Sequence, residues 1–412
     1  MEVQGPRVLD LFAGAGGLSL GFSQAGFHVH TAVESDSWAC DTLGKNHPET
    51  RVLRRDVSKL VDREVETFFR SAPPVGIIGG PPCQGFSHSN VTKKDPRDPR
   101  NSLFRHFARF VHVLQPDFFL IENVPGLLRT HLASGQPAIE VILGAFAELD
   151  YHTAHAVLRA ENFGVPQIRE RLFIVGSRRA FSRSPFPDPT HTSIQSSPSL
   201  FGRDSRPEYV TLWEAISDLP RLEAGEGREP ASYVGPPKNA YQELMRNGSN
   251  EVRNHVAMNH TRRIVERFKA IRVGQSQSDV SLEHAPRMRS NGHLVSKQRY
   301  DQNNRRLAPN RPSHTIPASF YANFVHPFQH RNFTPREGAR IQSFPDSYVF
   351  LGKPTVVSHR LLAREGRDAE RHLCQYAQIG NAVPPLMAGA IARHILHKVM
   401  APECLPTCTA TT

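Results

Sequence analysis

The chain has 412 residues, 39% hydrophobic and 22% charged, with five cysteines and a formal net charge of +11 at pH 7. Its length supports two or three domains with ample core, and no apolar run reaches the roughly 20 residues that a membrane-spanning helix needs. The cysteines, Cys40, Cys83, Cys374, Cys404 and Cys408, are few, odd in number and scattered, which argues against a disulfide framework and for a reducing cytoplasm.

Taken in order, Val8 to Phe12 reads as a short buried strand. Ala13 to Gly17 is a glycine-rich turn, and Leu18 to Ala25 is a helix that Gly26 can end. Strand, glycine turn and helix form the arrangement of nucleotide-type cofactor sites in open α/β sheets. A second strand, His28 to Val33, runs into Glu34, an acid at a strand's carboxyl end where a ribose hydroxyl pair needs an acceptor. A helix N-terminal acid is the alternative there. A short strand from Arg51 to Leu53 leads to Asp56, which also suits the N-cap of a helix over Lys59 to Arg70.

The fourth strand, Val75 to Ile78, delivers Gly79-Gly80-Pro81-Pro82-Cys83-Gln84-Gly85-Phe86-Ser87. Two glycines permit close approach, and two prolines hold the chain extended, so Cys83 is presented on a stiff support as a nucleophile would be. For a lone cysteine beside an apolar strand, the plain alternative is a small buried hydrophobe. Ser87 to Arg100 is polar and rich in proline. Leu103 to Leu114 is an amphipathic helix, and Phe118 to Ile121 is a fifth strand ending in Glu122. A helix over Ala138 to Leu149 and a strand over Tyr151 to Leu158 precede Gln167-Ile168-Arg169-Glu170-Arg171 and a last strand, Leu172 to Val175. This alternation predicts a doubly wound, mostly parallel α/β sheet with ligands at the carboxyl ends of its strands.

Beyond Gly176 the texture changes, and Phe181 to Pro207 is rich in Ser, Pro and Arg without a clear period. The span from Arg178 to Arg331 holds 23 Lys and Arg against 14 Asp and Glu, so nine of the eleven excess positive charges lie there. Such a segment points to a polyanion, nucleic acid first, with a solvated cationic surface as the alternative. Short helices are predicted at Leu212 to Leu219 and Thr261 to Ile271. Thr334-Pro335-Arg336-Glu337 is a helix start with Thr as cap, Pro at the first position and Glu at the third. An apolar helix from Leu386 to Val399 is expected to pack on the first domain.

Six stretches, in order, carry a resemblance. They are Asp10 to Gly17 (Asp-Leu-Phe-Ala-Gly-Ala-Gly-Gly), Pro81 to Gln84 (Pro-Pro-Cys-Gln), Glu122 to Val124 (Glu-Asn-Val), Gln167 to Arg171 (Gln-x-Arg-x-Arg), Arg336 to Arg340 (Arg-Glu-Gly-Ala-Arg) and Gly380 to Pro384 (Gly-Asn-Ala-Val-Pro). Together they resemble the DNA (cytosine-5)-methyltransferase family of the bacterial modification type, over roughly Arg7 to Ser177 and Phe333 to Val399. The resemblance implies a Rossmann-like fold that binds S-adenosylmethionine, with a smaller, irregular target-recognition domain. Residues 1–177 and 333–400 would form the catalytic domain, 178–332 the recognition domain and 401–412 a tail. Cys83 would be the nucleophile and Glu122 the acid at the ring nitrogen. Arg171, with Arg169 behind it, would hold the base or its partners. Phe12, Gly14, Gly17, Glu34, Asp56, Gly80, Pro82, Leu103 and Asn381 would form the cofactor pocket, with Glu34 on the ribose hydroxyls and Asp56 on the adenine amine. Phe12 also suits a plain core position.

The implied partner is double-stranded DNA, with the target cytosine flipped out and no metal or membrane involved. A monomer is expected, and a cognate restriction endonuclease is a possible companion. A tRNA cytosine-5 methyltransferase and an inactive nucleic-acid-binding homologue are the competing readings. Two departures stand out. Lys353 to His372 is longer than the family usually has, and Gly338 replaces a more common Cys with little expected effect.

Overall fold

The structure, a computed structural model, describes residues 5–82, 103–132, 134–193, 205–286, 301, 303–355, 359–367 and 372–400. The first half runs β1 (Arg7–Leu11), α1 (Gly17–Gln24), β2 (His28–Glu34), α2 (Ser37–Asn46), β3 (Arg51–Arg54), α3 (Asp62–Phe69), β4 (Gly76–Gly79), α4 (Leu103–Leu114), β5 (Phe118–Asn123), α5 (Ala138–Ala147) and β6 (His152–Arg159). A two-residue β7 (Gln167–Ile168) and β8 (Glu170–Ser177) follow. Seven of these strands make one sheet, ordered β3-β2-β1-β4-β5-β8-β6. Strands β1 to β5 are parallel, and β8 is antiparallel to both its neighbours. The predicted doubly wound sheet is therefore present. Strand order reverses between β1 and β4, and open α/β sheets bind ligands in the crevice at the carboxyl ends of such a pair.

Beyond the sheet lie α6 (Leu212–Ile216), α7 (Ala240–Arg246), α8 (Arg262–Ala270), β9 (Arg305–Arg306), β10 (Ser313–His314), α9 (Phe320–Asn323) and β11 (Phe324–Val325). The chain then forms α10 (Pro335–Ile341), α11 (His359–Arg364), α12 (Gln375–Asn381) and α13 (Pro385–His394), the last continued by a π-helical turn, Ile395–Val399. The central strands are mostly apolar because both faces are covered, with Asp10 of β1 and the Glu122–Asn123 end of β5 as polar exceptions. Phe107 and Phe110 of α4 and Phe146 of α5 pack on one face. Phe22 of α1 with Met387 and Ile391 of α13 pack on the other. A further core joins Leu212, Ile216, Tyr241 and Met245 to Phe344, Tyr348 and Phe350, so the middle region and the C-terminal segment share one apolar interior.

Local signals account for most element ends. Thr334 accepts from the Glu337 backbone N–H at 3.2 Å while Glu337 accepts from that of Thr334 at 2.8 Å, the reciprocal cap expected for α10. The helix expected from Lys59 begins later. Asp56 caps a 3₁₀ turn, Val57–Lys59, and α3 starts at Asp62, where Glu64 reaches back to the Val61 N–H at 3.1 Å. Helices α2 and α7 are additions to the sequence reading. Asp36 and Asn239 cap them with side-chain bonds of 2.9 and 3.0 Å, and tertiary packing outweighs the weak propensity of Ser, Cys, Asp, Thr and Gly in α2.

The basic middle region is less exposed than its charge suggests. Arg267, Arg306 and Arg331 are buried. Arg306 donates to the carbonyls of Ile271 at 2.7 Å and Gln329 at 2.9 Å, and Arg331 pairs bidentately with Glu337 at 2.7 and 2.8 Å. Arg262, Arg263, Lys269, Arg272 and Arg311 stay exposed. Gly338 also matters more than expected: a Cβ there would sit 2.1 Å from the Phe320 ring, which occupies that space.

Candidate active site

A cavity of about 1020 Å³ opens at the carboxyl ends of the strands. Phe12, Gly14, Gly17, Glu34, Asp56, Gly80, Pro82, Leu103, Glu122, Arg169, Arg171 and Asn381 all line it. Every site residue expected from the sequence is thus gathered in one place, except Cys83, which lies outside the described residues. Phe12 is half-buried, packs against the α4 and α5 core while lining the cavity, and has φ of 58°, a left-handed conformation that costs energy for a bulky residue. Behind the glycine turn, buried Asp10 accepts from the Ser19 hydroxyl at 2.6 Å, tying β1 to α1, and burial pushes its carboxyl up to about 7.

Strand β2 delivers Glu34 to the cavity edge, and the backbone fixes its carboxylate. Oε2 accepts from the Gly14 N–H at 2.8 Å, and Oε1 accepts from Ser35 and Asp36 N–H at 2.7 and 2.8 Å. An acid held this way presents oriented acceptors to a pair of vicinal hydroxyls. Asp56 Oδ1 accepts from the Ser58 N–H and hydroxyl at 2.9 and 2.7 Å. This fixes a second carboxylate on the same wall.

Opposite them, β5 delivers Glu122 and β8 delivers Arg171. Arg171 Nε lies 2.9 Å from Glu122 Oε1, and the two side chains keep 15% and 14% exposure, so the pair faces the cavity. Burial pulls the Arg171 guanidinium below its ordinary value, and Glu122 opposes that shift. Gly80 makes room, since a Cβ there would stand 3.1 Å from Glu122 Oε2. Asn123, quoted in the sequence motif without a role, donates from Nδ2 to the Pro81 carbonyl at 3.2 Å. That bond supports the Pro81-Pro82 segment, which Cys83 follows in the chain.

Arg169 sits deeper, 1% exposed. It donates to the carbonyls of Ile316 at 3.1 Å, Gly380 at 3.0 Å and Ala382 at 3.2 Å. Burial holds its guanidinium well below the ordinary arginine value. It braces two cavity walls, one following β10 and one at the end of α12. The first of these walls, Thr315 to Ala318, was not anticipated. It lies more than a hundred residues from Arg169 in the chain, and the pairing of β10 with β7, the bonds of Thr315 and Ile316 to Ile168 and Gln167, and Arg169 itself bring it in. Leu373 and His106 also line the cavity without a sequence signal.

The cysteines among the described residues, Cys40 and Cys374, are both buried and neither is in a disulfide. Burial, reinforced by Glu34, pushes the Cys40 thiol up to about 12, so it is no nucleophile. No group of three or more metal-ligating side chains occurs among the described residues, and none of their helices is long and apolar enough to cross a membrane.

Residues 6–397 match the model of the C-5 cytosine-specific DNA methylase family. The chain belongs to that family. Relatives include the Type II methyltransferase M.DdeI of Desulfomicrobium norvegicum, 46% identical over 94% of this chain and 88% of that protein. Type II methyltransferase M1.HphI of Haemophilus parahaemolyticus is 35% identical over 94% of this chain and 86% of its own length. Among solved structures, an E. coli prophage-encoded protein described as a DNA modification methyltransferase aligns with a TM-score of 0.70. It is 27% identical and is covered over 96% of this chain and 99% of its own. As a C-5 cytosine DNA methyltransferase, the protein uses S-adenosylmethionine as methyl donor. The cavity fits that group, with a backbone-held carboxylate for hydroxyls at Glu34 and a second acceptor at Asp56.

Proposed function

We propose that the protein methylates carbon 5 of a flipped-out cytosine in a specific duplex DNA sequence, with Cys83 as nucleophile. The observation carrying this reading is the Glu122–Arg171 pair, 2.9 Å apart and facing the cavity that Glu34 and Pro82 also line. Carbon 5 of cytosine is a poor nucleophile. Attack of the Cys83 thiolate on carbon 6 forms an S–C bond and moves an electron pair into the ring, which Glu122 accommodates by supplying a proton or hydrogen bond to the ring nitrogen. Arg171 holds Glu122 in place and offers donors to the base carbonyl. When bound, S-adenosylmethionine supplies an electrophilic methyl group to the resulting enamine carbon. Loss of the carbon 5 proton then expels the thiolate and restores the aromatic ring.

In this reading Glu34 holds the ribose hydroxyls, Asp56 the adenine amine, and Phe12, Gly14, Gly17, Gly80, Pro82, Leu103 and Asn381 complete the cofactor pocket. Arg169 is a positioning residue for both walls. The region 178–332 selects the DNA sequence, its exposed arginines meeting phosphates and its polar side chains meeting base edges. The names of the relatives support a restriction endonuclease as companion. Methyl incorporation into duplex DNA and into tRNA, followed by mapping of methylated positions, tests the proposal. Site-specific 5-methylcytosine in DNA is expected, and transfer to tRNA alone would overturn it.

A further inference from the structure

The long connection from Lys353 to His372 leaves and returns beside α2. That helix carries Trp38, Thr42 and Asn46 at i, i+4 and i+8, which is one helical face. Asn46 exchanges two hydrogen bonds with the Val349 backbone, both 2.8 Å. The Thr42 hydroxyl accepts from the Leu351 N–H at 2.8 Å and donates to Gln378 Oε1 at 2.7 Å. Trp38 lies against Gly352, where a Cβ would stand 2.6 Å from its ring, and its indole centroid is 5.0 Å from that of His372. The two ends of the connection therefore meet at the start of α2.

Asp36 completes this clasp. Its Oδ1 caps α2 at Ala39, while Oδ2 accepts from the Leu373 N–H at 2.8 Å and lies 3.7 Å from His372 Nδ1. Asp36 in turn donates its own N–H to Glu34 Oε1 at 2.8 Å. From the other side, Gln378 Nε2 donates to the Leu373 carbonyl at 2.8 Å. Leu373 is thus tied through one residue to the turn that fixes the Glu34 carboxylate, and it lines the cavity beside Glu34 and Ser35. Ser35 offers no broad apolar surface to a flat ring system, and Leu373 brings one.

We infer that Leu373 contacts the cofactor on the Glu34 side of the cavity, and that Asp36 is the residue that positions it. The inference rests on assigning this cavity to S-adenosylmethionine. It gives the long connection a role: the residue that follows its return end supplies a wall of the cofactor site.

Calorimetric titration with S-adenosylhomocysteine tests it on wild type, Leu373→Ala, Leu373→Met, Asp36→Asn and Glu34→Ala, with thermal melting as the check on folding. Leu373→Ala should weaken binding about tenfold through lost apolar contact, Leu373→Met less than about twofold, and Asp36→Asn about threefold. In methyl transfer, Leu373→Ala should raise KM for S-adenosylmethionine by the same factor and leave kcat at saturation unchanged. If Leu373→Ala melts early, Leu373→Val carries the test with an expected weakening of about threefold. Binding within twofold of wild type for the folded Leu373 variants, with Glu34→Ala weakened, would overturn the inference and leave the cofactor site standing. No weakening in Glu34→Ala, or no binding by wild type, would instead overturn the site assignment beneath it.

Discussion

Replacing Arg169 by Met keeps an unbranched stem out to about the position of Nε and removes the guanidinium donors. Three hydrogen bonds vanish, to Ile316, Gly380 and Ala382, at 3.1, 3.0 and 3.2 Å. A bond from a charged donor contributes roughly 1.5 to 3 kcal/mol, and each orphaned carbonyl costs about 1 kcal/mol or more. Against this, a buried cation carries a desolvation penalty of several kcal/mol, and no ion pair with a carboxylate is found for Arg169 among the described residues. The two effects largely offset, leaving a net loss of about 1 to 3 kcal/mol. At roughly 2.1 cal/mol/K per residue, unfolding entropy for a chain of this size is about 0.9 kcal/mol/K, so Tm should fall only about 1 to 3 °C. The cavity walls are affected more, because one residue holds both the Ile316 segment and the carbonyls flanking Asn381. Titration with S-adenosylhomocysteine should show binding at least about tenfold weaker, and kcat should fall as well. Binding and kcat within twofold of wild type, or a Tm drop beyond 10 °C, would refute this account of Arg169.

Glu122→Gln should lower kcat by about 10² to 10⁴, the usual contribution of a positioned acid, while S-adenosylhomocysteine binds within twofold of wild type; retained turnover in steady-state assays would contradict that role. In DNA-binding titrations over a range of salt, Arg262→Ala, Arg263→Ala and Arg272→Ala should each weaken binding and lower the salt slope by up to about 0.9, whereas Arg306→Ala should chiefly lower Tm. Stability should fall on acidification below about pH 6.5. Burial holds the His47 imidazole down at about 4, so the fold keeps it neutral while the unfolded chain binds a proton. Its contribution is present in full above pH 6.5 and is lost as pH falls toward 4, by about 3 kcal/mol at the lower limit. Melting from pH 8 to 4.5 should show the loss, with a shallower slope in His47→Gln; equal slopes would exclude His47 as the source.

Much of the site was legible because its residues sit where a repeated local pattern puts them. Glu34 and Glu122 each end an apolar strand, and in a parallel sheet those ends share one edge, so two distant acids could be assigned to one crevice from strand pattern alone. Helix α10 was legible from its cap. The wall from Thr315 to Ala318 was not, because nothing in its composition shows that β10 pairs with β7. Helix α2 was missed because its stability comes from Asp36 and from packing against Val349 to Gly352, neither of which leaves a periodic signature. Net charge misled in part. Arg267, Arg306 and Arg331 add to the basic total of the middle region, yet they are buried and hydrogen-bonded internally.

The central claim is covalent catalysis by Cys83 on cytosine. Once the target sequence has been mapped, a duplex carrying 5-fluorocytosine at the methylated position should trap the enzyme in the presence of S-adenosylmethionine, because fluorine blocks the proton loss that completes the reaction. Peptide mass spectrometry should then find the modified base on Cys83, with no adduct in Cys83→Ser. A wild-type enzyme that methylates the cognate site but forms no adduct, or an adduct on another residue, would contradict the account.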